Sequence, residues 1–360
     1  MKILFIINHL NAGGAEKILS VLANSFSTMG IEVVIATVSK KESFYVLSEN
    51  IKIVHIKRKK VLLPFVSKVI APFNFVFAIK NMITLVQPDI IISFTTTMNV
   101  YSILAAKMTS LPIIASEHTN FHRAKNTFWR YIRQLIYPFA DILVVLTDYD
   151  KEKYHFVRHV VRIHNPLSLE NRHVNIKREK IILAVGRLHR VKGFDLLLES
   201  FARLNQDEWK LVILGEGSER EHLESLVKSL KISDQVVIPG LVKDVELFYK
   251  KASIFVLSSR AEGFPGTLCE AMGYGCAVVA YDCLTGPRDI ITHGVDGLLV
   301  EAGNIAALTE SIQHLIDDTS KMNLVGYNAT NIVMRLNVET ITKEWMKIIN
   351  SLVREEIKDD

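Results

Sequence analysis

Cysteine is scarce in this sequence, which has only three among its 360 residues. Cys269, Cys276 and Cys283 follow one another at seven-residue intervals, with no CxxC pair and no histidine at the spacing of a zinc site. We therefore expect small apolar side chains on a buried helix and the strand after it, and neither a disulfide nor a metal site. This cysteine usage favours a reducing compartment.

The sequence also lacks an apolar run that is long and uninterrupted enough to span a membrane. Its longest apolar window, Val61 to Ile79, contains Pro64, Lys68, Pro72 and Asn74. A lipid-exposed helix tolerates such residues poorly, so we predict no transmembrane segment and expect any membrane contact to be peripheral.

Signatures of several enzyme and binding classes are missing as well. The sequence has neither a P-loop nor the nucleophile elbow of serine hydrolases, and no motif for the readout of nucleic-acid bases. What is present is a chain with 49% hydrophobic and 22% charged residues and a net charge of +5, which is typical of a well-packed enzyme. Its length favours two domains over one.

Short apolar runs alternate with helical patterns along the whole chain. The runs of the first half are Ile3 to Ile7, Val33 to Thr37, Ile51 to His55, Ile90 to Ser93, Ile113 to Ser116 and Ile142 to Leu146. Those of the second half are Ile181 to Val185, Lys210 to Leu214, Gln235 to Pro239, Ile254 to Leu257 and Ala277 to Tyr281. Such runs, alternating with helices, predict a parallel, doubly wound sheet in each half.

A polar stretch without periodicity, Asn165 to Lys180, is the expected linker between the halves. We therefore predict an α/β protein of two Rossmann-like domains that face a cleft, comprising residues 1–166 and 167–340. Apolar residues at helical spacing predict that 341–360 form an amphipathic helix, which packs back on the first domain.

Two glutamates flank a turn in the second half of the chain. Glu262 and Glu270 lie on either side of a turn containing glycine and proline, which follows the apolar run from Ala252 to Leu257. Helix-forming residues resume at Leu268, so we predict a strand, a loop and a helix. A helix N-terminus attracts anions, and a nearby carboxylate accepts hydrogen bonds from ligand hydroxyls. The stretch suits a ligand with phosphates and hydroxyls, such as a nucleotide sugar.

A loop with basic residues follows the first strand of the second half. Arg187 and Lys192 lie there, in the sequence Val185-Gly-Arg-Leu-His-Arg-Val-Lys-Gly193. Ligands meet a doubly wound sheet at the ends of its strands, and these two side chains would supply a fork and a point charge for linked phosphates. A solvated basic loop is the alternative interpretation.

Four motifs, taken in order, resemble the retaining glycosyltransferases of the GT-B fold that carry a Glu-x7-Glu signature, the family 4 type. They are Gly186-Arg187-Leu188, Lys192-Gly193, Glu262-Gly-Phe-Pro-Gly-Thr-Leu-Cys-Glu270 and Gly294-Val-Asp-Gly-Leu-Leu-Val300. They span essentially the whole second domain. The resemblance implies that the first domain provides the acceptor side and the second domain binds a nucleotide sugar.

The resemblance also implies roles for individual residues. Arg187 and Lys192 would bind the donor diphosphate, Glu270 the ribose hydroxyls and Glu262 the transferred sugar. His118 matches a histidine near the transferred sugar, although a lone histidine is more often structural. We expect His118, Glu262, Arg187 and Lys192 to be catalytic. The residues expected to line the nucleotide-sugar pocket are Gly13, Gly14, Gly186, Gly215, Leu241, Gly263, Phe264, Pro265, Gly266, Thr267, Leu268 and Glu270. We expect no metal and no cofactor besides the donor substrate.

A narrower resemblance concerns the acceptor. The runs from Ser116 to Pro138 and from Gly286 to Ile290 are similar to bacterial enzymes that extend polyprenyl-diphosphate-linked oligosaccharides with N-acetylgalactosamine or related sugars. This implies a hexosyltransferase that moves a HexNAc or a hexose from a UDP-sugar to such a glycan, in O-antigen, capsule, exopolysaccharide or N-glycan biosynthesis. The alternatives are transfer to a soluble acceptor and a nucleotide-sugar 2-epimerase.

Two stretches without acidic residues, Ile51 to Pro88 and Phe121 to Tyr137, interleave basic with apolar side chains. Such segments suit docking on an anionic leaflet, where each basic residue adds about 1 kcal/mol. We predict peripheral binding to the cytoplasmic face of the bacterial plasma membrane, and no binding of nucleic acid. The predicted contact residues are Lys57, Arg58, Lys59, Lys60, Lys68, Arg123, Lys125, Arg130 and Arg133. A core-packed helix with a solvated basic face is the alternative.

Overall fold

Residues 1–57, 64–123, 127–169 and 177–356 are described by the computed structural model, and the side chains of 64–70, 123, 127 and 354–356 lie outside that description. The chain divides into two units. The first comprises Met1–Ser168 together with Leu336–Asp360, and the second comprises Leu169–Arg335.

The first unit is built around a seven-stranded sheet in which neighbouring strands are parallel. Its strands are β1 Lys2–Ile7, β2 Glu32–Thr37, β3 Lys52–His55, β4 Ile90–Phe94, β5 Ile113–Ser116, β6 Ile142–Val145 and β7 Val160–Arg162. Their order across the sheet is β3-β2-β1-β4-β5-β6-β7. The helices that accompany them are α1 Gly14–Thr28, α2 Pro64–Val86, α3 Thr96–Lys107, α4 Thr127–Ile136 and α5 Asp148–Lys153.

Both faces of this sheet are covered, which explains why its strands are continuous apolar runs. Alternate residues of a strand point to opposite faces, so Leu4 and Ile6 of β1 pack into the apolar cluster formed with α2 and α3. Ile3 and Phe5 pack into the opposite cluster, which includes Leu19 of α1. A strand buried on both faces gains nothing from polar alternation.

The second unit has a six-stranded parallel sheet. Its strands are β8 Glu179–Val185, β9 Lys210–Leu214, β10 Val236–Gly240, β11 Ala252–Leu257, β12 Ala277–Asp282 and β13 Leu298–Glu301. Their order is β10-β9-β8-β11-β12-β13. The helices are α6 Phe194–Phe201, α7 Arg220–Ser229, α8 Val245–Lys251, α9 Gly266–Gly273, α10 Pro287–Ile290, α11 Ile305–Asp317, α12 Thr319–Ala329 and α13 Ile332–Arg335.

The last helix, α14 Val338–Glu356, belongs to the first unit although it ends the chain. Its residues Ile341, Trp345 and Ile349 recur every fourth position and are buried in the cluster that contains Leu19. Trp345 also stacks on Phe94, with ring centroids 6.5 Å apart. The helix therefore covers part of one face of the first sheet.

Chain order reverses at one place in each sheet, between β1 and β4 in the first and between β8 and β11 in the second. In doubly wound sheets ligands bind at this switch point, outside the carboxyl ends of the strands. The predicted α/β fold with two doubly wound sheets is confirmed. The sequence analysis missed β7 and β13, two short strands of three and four residues that lie at an edge of their sheets.

Hydropathy of the helices bears on the membrane prediction. Among the described residues, no helix combines the length with the sustained apolar character that crossing a bilayer requires.

Candidate functional site

Two loops of the second unit meet where β8 and β11 end beside each other. Residues 186–193 follow β8, and residues 258–265 follow β11. The Arg260 N–H donates to the Val191 carbonyl at 2.8 Å, and Ser258 Oγ donates to the Lys192 carbonyl at 3.0 Å. These bonds bring the predicted basic residues and Glu262 to the same edge of the sheet, at its switch point.

Glycine is required where the loops after β8, β9 and β11 approach one another most closely. Gly193 has φ +64°, and a Cβ there would lie 2.0 Å from the Ser258 carbonyl oxygen. Gly215, which follows β9, has φ +145°, and its Cβ would lie 1.9 Å from the Gly186 carbonyl oxygen. Any side chain at either position would push the loops apart.

An ion pair joins the two loops. Lys192 Nζ lies 2.6 Å from Glu262 Oε1, and Ser259 Oγ donates to the same oxygen at 2.5 Å. Glu262 is buried, and its main-chain oxygen accepts a hydrogen bond from Thr285 Oγ1 at 2.5 Å. Removing one partner of a buried ion pair costs about 3–5 kcal/mol, because the remaining charge is left uncompensated. Each charge thus depends on the other until a ligand supplies a replacement.

Other charged side chains of the region differ in exposure. Arg187 is exposed on the loop after β8. Arg260 forms two hydrogen bonds of 2.7 Å with the carboxylate of Asp195 at the start of α6. Burial opposes ionisation of that carboxylate, but the bonds from Arg260 outweigh it and lower the pKa of Asp195. The sequence analysis missed this pair, which holds the loop after β11 against α6.

Glu270, the second glutamate of the turn, lies on α9 and is half-buried. The hydroxyl of Tyr249, at the end of α8, donates to Glu270 Oε2 at 3.0 Å. Tyr249 itself is only 2% exposed. The carboxylate predicted to bind ribose is therefore held by a tyrosine that no sequence motif had indicated.

The remaining predicted pocket residues of the second unit offer mostly main-chain groups. Helix α9 begins at Gly266, with Pro265 as its N-cap and no side-chain capping bond. Leu268 is fully buried, so its side chain is part of the core, and its N–H donates to the Pro265 carbonyl at 3.1 Å. Leu241 is 81% exposed after β10. The half-buried residues are Gly186, Gly263, Phe264 and Thr267.

In the first unit, His118 follows β5 and is half-buried. Its ring stacks on Phe94, with centroids 5.0 Å apart, and its Nε2 lies 3.0 Å from Ser116 Oγ. Burial lowers the pKa of His118 to about 4. The ring is therefore neutral at physiological pH, so it offers a hydrogen bond and not a positive charge.

A buried carboxylate, Glu117, lies beneath His118. Glu117 Oε1 accepts hydrogen bonds from the N–H groups of His118 and Thr119 and from Thr119 Oγ1. Glu117 Oε2 accepts from the hydroxyls of Tyr137, at 2.6 Å, and Thr96, at 2.8 Å. Both oxygens are satisfied, so Glu117 fixes the loop after β5 to α3 and to the segment after α4.

The glycine-rich loop after β1 is also fixed. The Gly13 N–H donates to the Tyr45 hydroxyl at 3.2 Å, and that hydroxyl donates to the Gly13 carbonyl at 3.0 Å. Gly14 begins α1 and is exposed. A Cβ on Gly13 would lie 2.1 Å from Glu16 Oε2, and the other oxygen of that carboxylate, Oε1, lies 3.1 Å from His9 Nδ1.

Two family models match the chain, one over each half. The family described as "Glycosyltransferase Family 4" matches residues 12–171, and "Glycosyl transferases group 1" matches residues 168–332. An α-1,4-N-acetyl-D-galactosaminyltransferase of Campylobacter jejuni, named for a GalNAc-containing diNAcBac-PP-undecaprenol substrate, is 33% identical over 97% of this chain and 98% of its own length. The chain belongs to the group 1, family 4 glycosyltransferases.

A second relative is also a glycosyltransferase, and a solved structure has a similar fold. The amylovoran biosynthesis glycosyltransferase AmsD of Erwinia amylovora is 26% identical over 97% of this chain and 99% of its own length. Anabaena HepE in complex with UDP-glucose superimposes with a TM-score of 0.82 at 19% identity, covering 98% of this chain and all of HepE. At that identity the likeness concerns the fold, and it confirms GT-B. Membership of this family shows that the chain is a hexosyltransferase. The alternative prediction, a nucleotide-sugar 2-epimerase, is therefore wrong.

The predicted basic surface of the glycosyltransferase needs a correction. Arg133 is fully buried, its guanidinium lies over the rings of Phe121 and Tyr154, and its Nη2 donates to the Phe121 carbonyl at 2.7 Å. It cannot touch a membrane, so that prediction is wrong. Lys57 and Arg130 are exposed. Arg58, Lys59, Lys60 and Lys125, and the side chains of Lys68 and Arg123, lie outside the described residues.

The surroundings of His118 predict its titration. Because burial disfavours the charged ring, we expect its proton NMR signals to titrate near pH 4, well below the ordinary 6.5. Since the unfolded ring titrates near 6.5, protonation also removes stability as the pH falls from 6.5 towards 4. The signals are assigned by their loss in His118→Gln. A midpoint near 6.5 would mean that the ring is solvated.

Proposed function

We propose that this glycosyltransferase moves a HexNAc or hexose from a UDP-sugar, with retention of anomeric configuration, to a polyprenyl-diphosphate-linked oligosaccharide in the synthesis of a bacterial glycan. The observation that carries the proposal is the full-length similarity to the Campylobacter transferase, whose name gives an undecaprenyl-diphosphate acceptor. The amylovoran relative supports a role in surface polysaccharide synthesis.

The switch point of the second unit supports the donor half of this proposal. An exposed Arg187 and the half-buried Lys192 follow β8 there, and the uncapped first turn of α9 adds main-chain N–H groups. Such donors stabilise the charge that develops on a departing diphosphate. The proposed nucleotide is UDP, as the resemblance to enzymes that transfer N-acetylgalactosamine or related sugars implies. In this proposal Glu270 binds the ribose and Glu262 the transferred sugar, and no metal takes part.

Retention follows from the Glu-x7-Glu resemblance. Lys192 and Ser259 hold the Glu262 carboxylate, and in this proposal that carboxylate binds the transferred sugar through hydrogen bonds and does not act as a covalent nucleophile. Attack from the face of the departing diphosphate, assisted by its oxygen, then gives the same configuration. His118, neutral and fixed through Ser116 and Glu117, would contribute a hydrogen bond to the sugar.

The first unit presents an apolar surface that supports a membrane-bound acceptor. Helices α2, α3 and α4 pack side by side on one face of the sheet, and Phe75, Tyr101 and Trp129 form a chain of ring contacts across them. The exposed large side chains of these helices include Phe73 and Phe77 of α2 and Phe128, Tyr131 and Leu135 of α4. We call these five residues the apolar face.

The apolar face has the composition of an interfacial element. Its members are spaced by three or four residues along each helix, so they share one side. Exposed fractions lie between 50% for Phe77 and 66% for Leu135. Arg130 is exposed among them on α4, and no acidic residue occurs from Phe121 to Tyr137. We propose that this face, with Arg130 and Lys57, binds the cytoplasmic surface of the plasma membrane, where the lipid-linked acceptor is found.

The transfer reaction is tested with a panel of UDP- and GDP-sugars, each incubated with a polyprenyl-diphosphate oligosaccharide and, in parallel, with the same oligosaccharide free in solution. We expect one UDP-sugar to add the mass of a HexNAc or hexose to the lipid-linked acceptor, and the NMR spectrum of the product to show the anomeric configuration of the donor. Lys192→Ala should lower kcat/KM at least about 100-fold, because a charge that stabilises the leaving group is lost. Transfer to the free oligosaccharide alone, or an inverted product, would contradict the proposal.

The membrane proposal predicts the behaviour of a triple variant. Phe128→Ser, Tyr131→Ser and Leu135→Ser together should lower co-sedimentation with anionic vesicles roughly tenfold or more, because apolar area no longer enters the interface. The matched control replaces three exposed apolar residues of the second unit, Leu324, Tyr327 and Met334, with serine. We expect the control to bind like the wild type. Equal binding by both triple variants would contradict the apolar face.

A further inference from the structure

Contacts of its ring and of its main chain both hold Tyr249 in place. The ring is stacked on Tyr274, with centroids 5.8 Å apart and planes at 11°, and it also contacts Phe255. Its carbonyl accepts hydrogen bonds from Cys276 Sγ at 3.2 Å and from Arg178 Nη1 at 3.4 Å. The hydroxyl therefore has almost no freedom to move.

The Tyr249 hydroxyl is the donor in its hydrogen bond with Glu270. Burial, and then the neighbouring charge of Glu270, raise the pKa of Tyr249 well above its ordinary value. Tyr249 consequently keeps its proton throughout the physiological range. Its single O–H points to Glu270 Oε2, at 3.0 Å.

A glutamate side chain has three rotatable bonds, so a carboxylate on a helix samples several orientations unless something holds it. A hydrogen bond to one carboxylate oxygen restricts the orientations that the group samples, so the other oxygen is more often presented in one direction. Binding then requires no further ordering of Glu270, which is the usual advantage of a preorganised site.

We propose that Tyr249 is a positioning residue, whose hydroxyl orients Glu270 towards the ribose hydroxyls and thereby sets a preference for ribonucleotide over deoxyribonucleotide donors. The inference rests on the proposed function, in which Glu270 binds the ribose. Tyr249 acts only through Glu270 and does not itself touch the substrate.

The test compares UDP with 2′,3′-dideoxy-UDP by calorimetric titration of the full chain. For Tyr249→Phe, which keeps the ring and its stacking, we expect the affinity for UDP to fall roughly tenfold, because Glu270 must then be ordered when the ribose binds. The affinity for 2′,3′-dideoxy-UDP should stay within about twofold of the wild type, since that ligand has no hydroxyls for Glu270. A merely structural role would weaken both ligands equally, and that result would overturn the proposal.

A second tyrosine supplies the matched control. Tyr281 of β12 is fully buried in the same unit, and its hydroxyl has no hydrogen-bond partner among the described residues. Tyr281→Phe should therefore leave the ratio of the two affinities unchanged. A loss of ribonucleotide preference in this variant as well would show that Tyr249 has no special role.

Glu270→Ala separates this inference from the proposed function. If the wild type prefers UDP and Glu270→Ala does not, Glu270 recognises the ribose. If Tyr249→Phe then keeps the wild-type preference, the positioning role alone is wrong. If Glu270→Ala keeps the preference, or the wild type has none, the ribose role of Glu270 fails and the Tyr249 proposal fails with it.

Discussion

The two loops at the switch point of the second sheet, which we propose bind the donor, are joined by the ion pair between Lys192 and Glu262. The two residues lie 70 positions apart in the sequence and meet because β8 and β11 are neighbours at the point where the second sheet reverses its order. Gly193 permits the close approach, and Ser259 adds a hydrogen bond to the carboxylate. In our proposal a diphosphate provides Lys192 with a new anionic partner, and Glu262 then becomes available to the sugar.

Buried polar contacts of the same kind hold the other residues with proposed roles. Glu117 accepts hydrogen bonds on both oxygens beneath His118, while Tyr249 donates to Glu270. Such groups are costly to bury unless they are paired, so each network has a narrow range of geometries. In our proposal these two networks hold His118 and Glu270 in place before the ligand binds.

The fold could be predicted because strands buried on both faces are continuous apolar runs, and these give their positions directly. The loops at the switch point could be predicted for the same reason, since Arg187, Lys192 and Glu262 all follow a strand. Tyr249 could not be predicted, because its contact with Glu270 joins α8 to α9 and no local pattern marks it.

Arg133 was predicted wrongly for a related reason. A basic residue in an acid-free helix was expected to face outward, but α4 turns Arg133 towards the core and its apolar residues Phe128, Tyr131 and Leu135 towards the exterior. The sequence shows which residues share one side of a helix, but in a helix with polar and apolar residues on both sides it does not show which side faces the core.

The most direct test of a diphosphate site at Lys192 compares two variants in which glutamine replaces Glu262. Glu262→Gln leaves Lys192 without its anionic partner, and Lys192→Met combined with Glu262→Gln removes the cation without leaving a buried carboxylate unpaired. Calorimetry should show that the double variant binds UDP roughly 100-fold more weakly than Glu262→Gln, while both bind uridine, which has no phosphates, equally. Equal affinities of the two variants for UDP would contradict a diphosphate site at Lys192.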